Sequence, residues 1–316
     1  MLKKSNPITH CFKGADGINK HGHSVRHGSD FYVFSIVKYT VVAATALLCV
    51  IPFWLLIMGS FTSESSIFRD GFRLIPKEFS IEAYKVIFST PARIINAYAV
   101  SIIVTFSGTF LSLLISSMTA YVLYRKDVKY RNVMAFFLFF TTLFNGGMMS
   151  YYVVVTRYLQ LRDSIFILIL SPMINVFYIL ILRNFFKTTI PDSLIEAAQV
   201  DGGGDLWVYL HIILPLSKAI LAAVGFLLLL NYWNDWWTPM LFVSDANLHP
   251  LQYVLYQIIS KANFAQSLVS IVPQRESPAE SLKLAMVVIS VGPVMFFYPF
   301  VQRFFVSGIT IGAVKG

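Results

Sequence analysis

Six stretches of the chain stay apolar for about 20 residues or more, the length a helix needs to cross the hydrocarbon of a bilayer: 39–61, 97–124, 132–156, 164–182, 219–243 and 284–302. Asp235 is the single charged residue within them. The runs are long and do not alternate strictly, and a lone strand would leave its backbone unpaired in lipid, so helices are expected. The pattern predicts an all-α fold, a polytopic membrane helix bundle of six transmembrane helices. Residues 31–316 form the membrane domain. Residues 1–30 form a polar tail rich in Gly, Ser, Asn and Lys, expected to be disordered. The intervals 62–96 and 244–283 are long enough for short surface helices.

The basic flanks give an orientation. With the amino terminus inside, 15 of the 25 Lys and Arg residues fall on inner segments, and the turn RKDVKYR (125–131) is the strongest local element. An even number of spans then places both termini in the cytoplasm of a multi-pass cell-membrane protein, and the interval 183–218 also faces the cytoplasm.

Composition sharpens this reading. The chain is 56% hydrophobic and 13% charged, against about 25% charged in soluble domains. The net charge of +9 sits on membrane flanks and forms no stripe with stacking aromatics, which argues against nucleic acid. Cys11 and Cys49 suggest neither a disulfide framework nor a zinc site. The tail holds His10, Cys11, His21, His23 and His27, but a solvated tail is the plainer reading and no metal is assigned. No phosphate loop, zinc-protease motif or nucleophile elbow occurs, so no catalytic residues and no cofactor bound by this chain are expected.

The informative interruption is EAAQVDGGGDLWVYLHIILP (196–215). Pro191 and Asp192 are helix-start signals, and Ser193 and Glu196 stand at capping-box spacing. A helix over 191–200 is expected, with Leu194, Ile195, Ala197, Ala198 and Val200 on its apolar side. Asp201 and three glycines end it. A second helix over 205–213 follows, with Leu206, Leu210 and Ile213 as a stripe extended by Trp207 and Leu214. Together these make a knob of two short helices.

Glu196-Ala197-Ala198, Asp201-Gly202 and Ile212-x-Leu-Pro215 match, across twenty residues, the EAA loop of binding-protein-dependent ABC importer permeases. RLIPKEFSIEAYKVIF (73–88), LILRNFFKTTIP (180–191), NYWNDWW (231–237) and the tail 302–316 resemble the carbohydrate-uptake branch, especially its permeases for complex oligosaccharides. The resemblance implies a type I ABC importer permease fold with cytoplasmic coupling helices. It implies no enzyme activity here, with ATP and Mg used by a partner ATPase. Expected partners are a second homologous permease subunit, two ATPase subunits, an extracytoplasmic solute-binding protein and membrane lipid. Glu196, Ala197, Ala198, Asp201, Gly202, Leu206 and Pro215 would carry ATPase coupling. His211 stands where the family often has Arg, and Ser150 where this branch often has Pro. The same loop occurs in importers of amino acids or polyol phosphates. A secondary transporter would need more intramembrane ionisable groups than Asp235.

Asp235 lies with Asn231, Tyr232, Trp233 and Asn234, and with Trp236 and Trp237. Aromatic rings and amides can take the faces and hydroxyls of a sugar, so these residues, with Asn175 and Tyr178, are candidates for a substrate path. An aromatic belt and helix packing are the competing roles. Asn145-Gly146-Gly147 marks a bend or a close helix contact. Gln257 and Gln266, in the outer interval 244–283, are candidate contacts for the binding protein.

Overall fold

The structure is a computed structural model that describes residues 29–269 and 279–313. The histidine-bearing tail before Ser29, Arg275 and Lys315 lie outside the described residues. Two units are distinguished, 1–55 and 56–316. Helix α1 (Ser29–Ser60) fills the described part of the first and runs on into the second. Over Phe34–Ser60 Lys38 is the single charged residue, and none of its most apolar window is buried. Such a helix has lipid for its solvent.

The second unit is helical, with α2 (Glu64–Asp70), α3 (Glu82–Ile87), α4 (Pro91–Tyr124), α5 (Arg131–Leu143), α6 (Met148–Val153), α7 (Ile165–Leu170) and α8 (Val176–Thr189). There follow α9 (Asp192–Val200), α10 (Asp205–Val208), α11 (Leu214–Leu216), α12 (Lys218–Trp233), α13 (Trp237–Phe242), α14 (Leu251–Val269) and α15 (Ala279–Ala313). At 1.5 Å per residue the 34-residue α4 is about 51 Å long, well beyond a hydrocarbon core of about 30 Å. Its ends therefore reach out of the lipid.

Helix α4 is the axis of the packing, with α8 and α12 lying along it and α15 along α12. Small residues allow this approach. Ser101, Thr105, Ser112 and Ser116 are buried at helical spacing, with Gly108 among them. A Cβ on Gly108 would stand 2.4 Å from the Tyr232 ring, so only glycine fits. The Ser112 hydroxyl donates to the Met173 carbonyl at 2.5 Å, and the Leu251 N–H donates to Ser101 Oγ at 2.7 Å. At the end away from residue 124, the buried Glu64 carboxylate accepts from the Glu280 and Ser281 N–H groups at 2.9 and 3.0 Å. It thereby satisfies the open donors at the start of α15.

Three helices are long and apolar enough to span by themselves: Phe34–Ser60, Pro91–Tyr124 and Ala279–Phe296. Two bent pairs bring the total to five among the described residues. The third, fourth and fifth of the six apolar stretches are each interrupted. The third breaks between α5 and α6 with a 114° bend, where Gly147 takes φ +83° and its N–H donates to Asn145 Oδ1 at 2.9 Å. The fourth splits into α7 and α8 around Pro172, and Asn175 caps α8 by accepting from the Phe177 N–H. The fifth unwinds at Asn234–Trp236. There Asp235 Oδ1 accepts from the N–H groups of Trp237 and Thr238, both at 3.0 Å, and starts α13. Pro239 lacks the N–H that would continue α12 through this point.

Candidate functional site

The interval after α8 folds as the expected knob, with differences in detail. Pro191 is extended at φ −66° and ψ 135° and occupies the cap position, so α9 starts at Asp192. The Ser193–Glu196 capping box does not form: Ser193 already lies inside the first turn, and Pro191 offers no N–H for Glu196 to reach. At the other end Gly202 has φ +86°, its N–H donates to the Gln199 carbonyl, and the Gly203 N–H donates to the Ala198 carbonyl at 2.8 Å. These two bonds and the left-handed residue make a Schellman stop, which explains glycine at 202. Gly203 is needed for space, since a Cβ there would meet the Ala198 carbonyl oxygen at 2.8 Å.

Beyond α10 the chain widens into a π-turn over Tyr209–Ile213 before α11. This extra width changes the buried face. Val208, Tyr209 and Ile213 are buried, whereas Leu206, Trp207 and Leu210 are exposed, so the expected Leu206–Leu210–Ile213 stripe is corrected. On α9 only Ile195 and Ala198 are buried; Leu194, Ala197 and Val200 face outward. His211 stacks on Trp207 at 4.7 Å and meets the Trp207 carbonyl through Nδ1.

Between the helices lies an open groove of about 560 Å³, lined by Leu194, Ala197, Ala198, Asp201, Gly202–Gly204, Trp207 and Ile212. Asp201 lines this groove, whereas Glu196 lies on the other side of α9, in a pocket it shares with Arg125, Lys126 and Asp192. Both carboxylates are exposed, and neither has a partner among the described residues. Leu206 and Pro215 are exposed as well. An apolar groove with one free carboxylate in its wall and a second across the same helix can receive an apolar ridge that carries basic groups.

The knob is held from α4 and the turn after it. Tyr124 Oη lies 2.9 Å from Asp192 Oδ1, and Lys126 Nζ lies 2.5 Å from Asp192 Oδ2. Arg125 Nη1 donates to Asp205 Oδ1 at 2.7 Å, while its Nε and Nη2 hold Asp127. Ser117 Oγ and Tyr209 Oη meet at 2.6 Å in a buried contact. Lys126 and then Tyr124 hold the Asp192 carboxyl below the usual carboxylate range, and Arg125 does the same for Asp127.

No family model matches the chain. A solved chain from a bacterial ABC transporter involved in the import of the acidic polysaccharide alginate superposes with a TM-score of 0.70 at 28% identity. The match covers 89% of this chain and 100% of that one. The polygalacturonan/rhamnogalacturonan transport system permease protein YtcP of Bacillus subtilis (strain 168) is 39% identical over 285 residues, covering 90% of this chain and 99% of its own. The chain belongs to the permeases of sugar ABC importers. Protein LplC of the same strain is 34% identical over 294 residues, covering 93% of the permease and 99% of LplC. The permease is accordingly a membrane-integral transport subunit.

The permease places its second group of candidate residues in two environments. Tyr232 and Trp233 are buried. The Tyr232 hydroxyl donates to the Ile169 carbonyl at 2.7 Å, and the Trp233 indole N–H donates to the Ser290 carbonyl at 3.1 Å. Asp235 and Asn175 serve as helix caps, and Tyr178 packs against the core near the knob. Asn231, Asn234, Trp236 and Trp237 are exposed. Trp236 stacks on Tyr256 of α14 at 4.6 Å, a pairing that spacing along the sequence could not show. The signal for Tyr256 was weak, because nothing near it in sequence resembles a site. Gln257 accepts from Arg93 at 2.5 Å, and the side chain of Gln266 lies outside the described residues.

Proposed function

We propose that the permease is a transmembrane subunit of an ATP-driven importer that moves oligosaccharides from an extracytoplasmic binding protein into the cytoplasm. A second permease subunit completes the pathway, and two ATPase subunits dock on the knobs. The observation that carries the docking is the groove between α9 and α10, open to solvent and lined by the unpartnered Asp201, with the unpartnered Glu196 exposed on the other side of α9. Ala197, Ala198 and Gly202 shape its walls, Leu206 is exposed on α10, and Pro215 starts the return to α12. ATP and Mg act in the ATPase subunits. The basic turn and flanks favour both termini and the knob inside, with six passages once the split α7–α8 segment is added to the three unbroken spans and the two bent pairs.

YtcP and the alginate importer are named for the transport of polysaccharides rich in carboxylates, which makes an acidic oligosaccharide the first substrate to test. The exposed Trp236–Tyr256 pair, with Trp237 and Asn231, is the stacking surface for it. Tyr232 and Trp233 then support this surface from behind.

Purification of the importer in mild detergent through this permease tests the assembly. Glu196→Lys and Gly202→Pro are expected to keep membrane insertion and to lose binding-protein-stimulated ATP hydrolysis. Unchanged stimulated hydrolysis in both variants removes the docking role. Maleimide labelling of Gln199→Cys from the cytoplasmic side alone is the expected orientation result.

A further inference from the structure

Helix α4 and the turn after it grip α9, α10 and the π-turn of the knob from one face. Ser117, Tyr121 and Arg125 follow at i, i+4 and i+8, with Tyr124 beside them, so their side chains share one side of the last turns. Ser117 meets Tyr209 in the π-turn, and the Tyr121 and Tyr209 rings lie 5.7 Å apart. Arg125 holds Asp205, the first residue of α10, and Lys126 with Tyr124 holds Asp192, the first residue of α9. Arg131 closes the turn by donating to the Arg125 carbonyl at 3.1 Å.

The Arg125 guanidinium is buried, with its side chain 7% exposed, although both of its carboxylate partners are mostly exposed. It also donates to Tyr121 Oη at 2.8 Å. Its planar fork thus joins the helix end, the turn and the knob at one point, a geometry that lysine cannot reproduce. The covalent exits from the knob are of another kind. Toward α12 the chain bends by 84°, and toward α8 it passes through the extended Ile190–Pro191 link.

We propose that Arg125, Lys126, Asp192 and Asp205 form a latch that makes α4 the arm receiving the knob's movement, with Arg125 as its positioning residue. The basic turn after the second span then does more than orient the chain: two of its cations are committed to the knob. A displacement of the knob passes through fixed side-chain bonds into a helix about 51 Å long, along which α8 and α12 both pack. The bend before α12 absorbs the difference in angle.

This inference rests on the knob being the ATPase contact, and the experiment separates the two. In the importer purified through this permease, spin labels at Ile95, near the start of α4, and Gln199, on the knob, report their separation without and with Mg-ATP and vanadate. The latch predicts one narrow distribution in both conditions. It also predicts that Arg125→Gln and Asp205→Asn each at least double the width, that the double variant is no wider than Arg125→Gln, and that Arg125→Lys falls between. Basal Mg-ATP hydrolysis and ATPase retention should be unchanged in these variants, while stimulation by the co-purified binding protein falls at least fivefold. Lys126 and Asp205 are largely exposed, so Lys126→Gln and Asp205→Asn carry the test if Arg125→Gln fails to assemble. A wild-type distribution that shifts with Mg-ATP, or variants with wild-type width and stimulation, overturns the latch. ATPase retention unaffected by Glu196→Lys overturns the docking instead.

Discussion

Gly202→Ala isolates the backbone of the knob from its side chains. Gly202 has φ +86°, and nothing lies within 4 Å of where its Cβ would stand. The substitution therefore meets no clash and costs only the left-handed strain, about 1–2 kcal/mol. The strain can be relieved only by opening the stop, which gives up the Gly202-to-Gln199 and Gly203-to-Ala198 bonds, each worth about 1 kcal/mol. Together they match or exceed the strain, so the bent state persists but opens more readily. Amide hydrogen exchange of the purified permease reads this as a local opening. At about 1.4 kcal/mol per factor of ten, protection at Gly203 is expected to fall about 5- to 30-fold. Asn tolerates the left-handed region, so Gly202→Asn should lose less. Gly204→Ala is the control, since Gly204 has an ordinary φ of −72° and open space. Equal protection after Gly202→Ala and Gly204→Ala, or no loss after Gly202→Ala, would refute the reasoning.

Gly108→Ala forces a methyl against the Tyr232 ring at 2.4 Å and should lower stability by about 1–3 kcal/mol in a detergent thermal melt. A melt within experimental error of wild type would show that α12 can step away from α4. His249 is held below the ordinary histidine value of 6.5, chiefly by burial, with Arg93 acting in the same direction and Asp245, Asp163 and the Val243 carbonyl opposing. It is neutral in the folded protein at pH 7. Its contribution is complete above 6.5 and declines as the pH falls from there through the lower folded value, because only the unfolded chain takes up the proton in that window. The melting temperature should therefore drop more between pH 7.5 and 5.5 in wild type than in His249→Gln. Asp235→Asn keeps an acceptor for the start of α13, whereas Asp235→Ala should cost about 1 kcal/mol of stability. Trp236→Ala should reduce uptake of a labelled oligogalacturonide at normal expression. Normal uptake in Trp236→Ala, by a wild type that takes up this sugar, would leave the Trp236–Tyr256 pair a packing contact.

The six apolar stretches, the polar knob between them and the family to which the chain belongs were legible in the residues alone. A run of about 20 uncharged residues has few ways to satisfy its backbone in lipid, and the twenty-residue loop carries its own stop signals at Asp201–Gly204. The side of each element that is buried was decided elsewhere. Tyr232 and Trp233 turn inward because Gly108 and Ser290 offer a space and a carbonyl, whereas Trp236, a few residues on, finds Tyr256 beyond the break in the helix. The π-turn moves Leu206 and Leu210 out and Tyr209 in, because a wider turn shifts the angular register that a 3.6-residue period assumes. Asp192 and Asp205 look like ordinary helix-start residues in one dimension. Only the packing of α4 beside the knob brings Arg125 and Lys126, more than 60 residues away in sequence, within bonding distance of them.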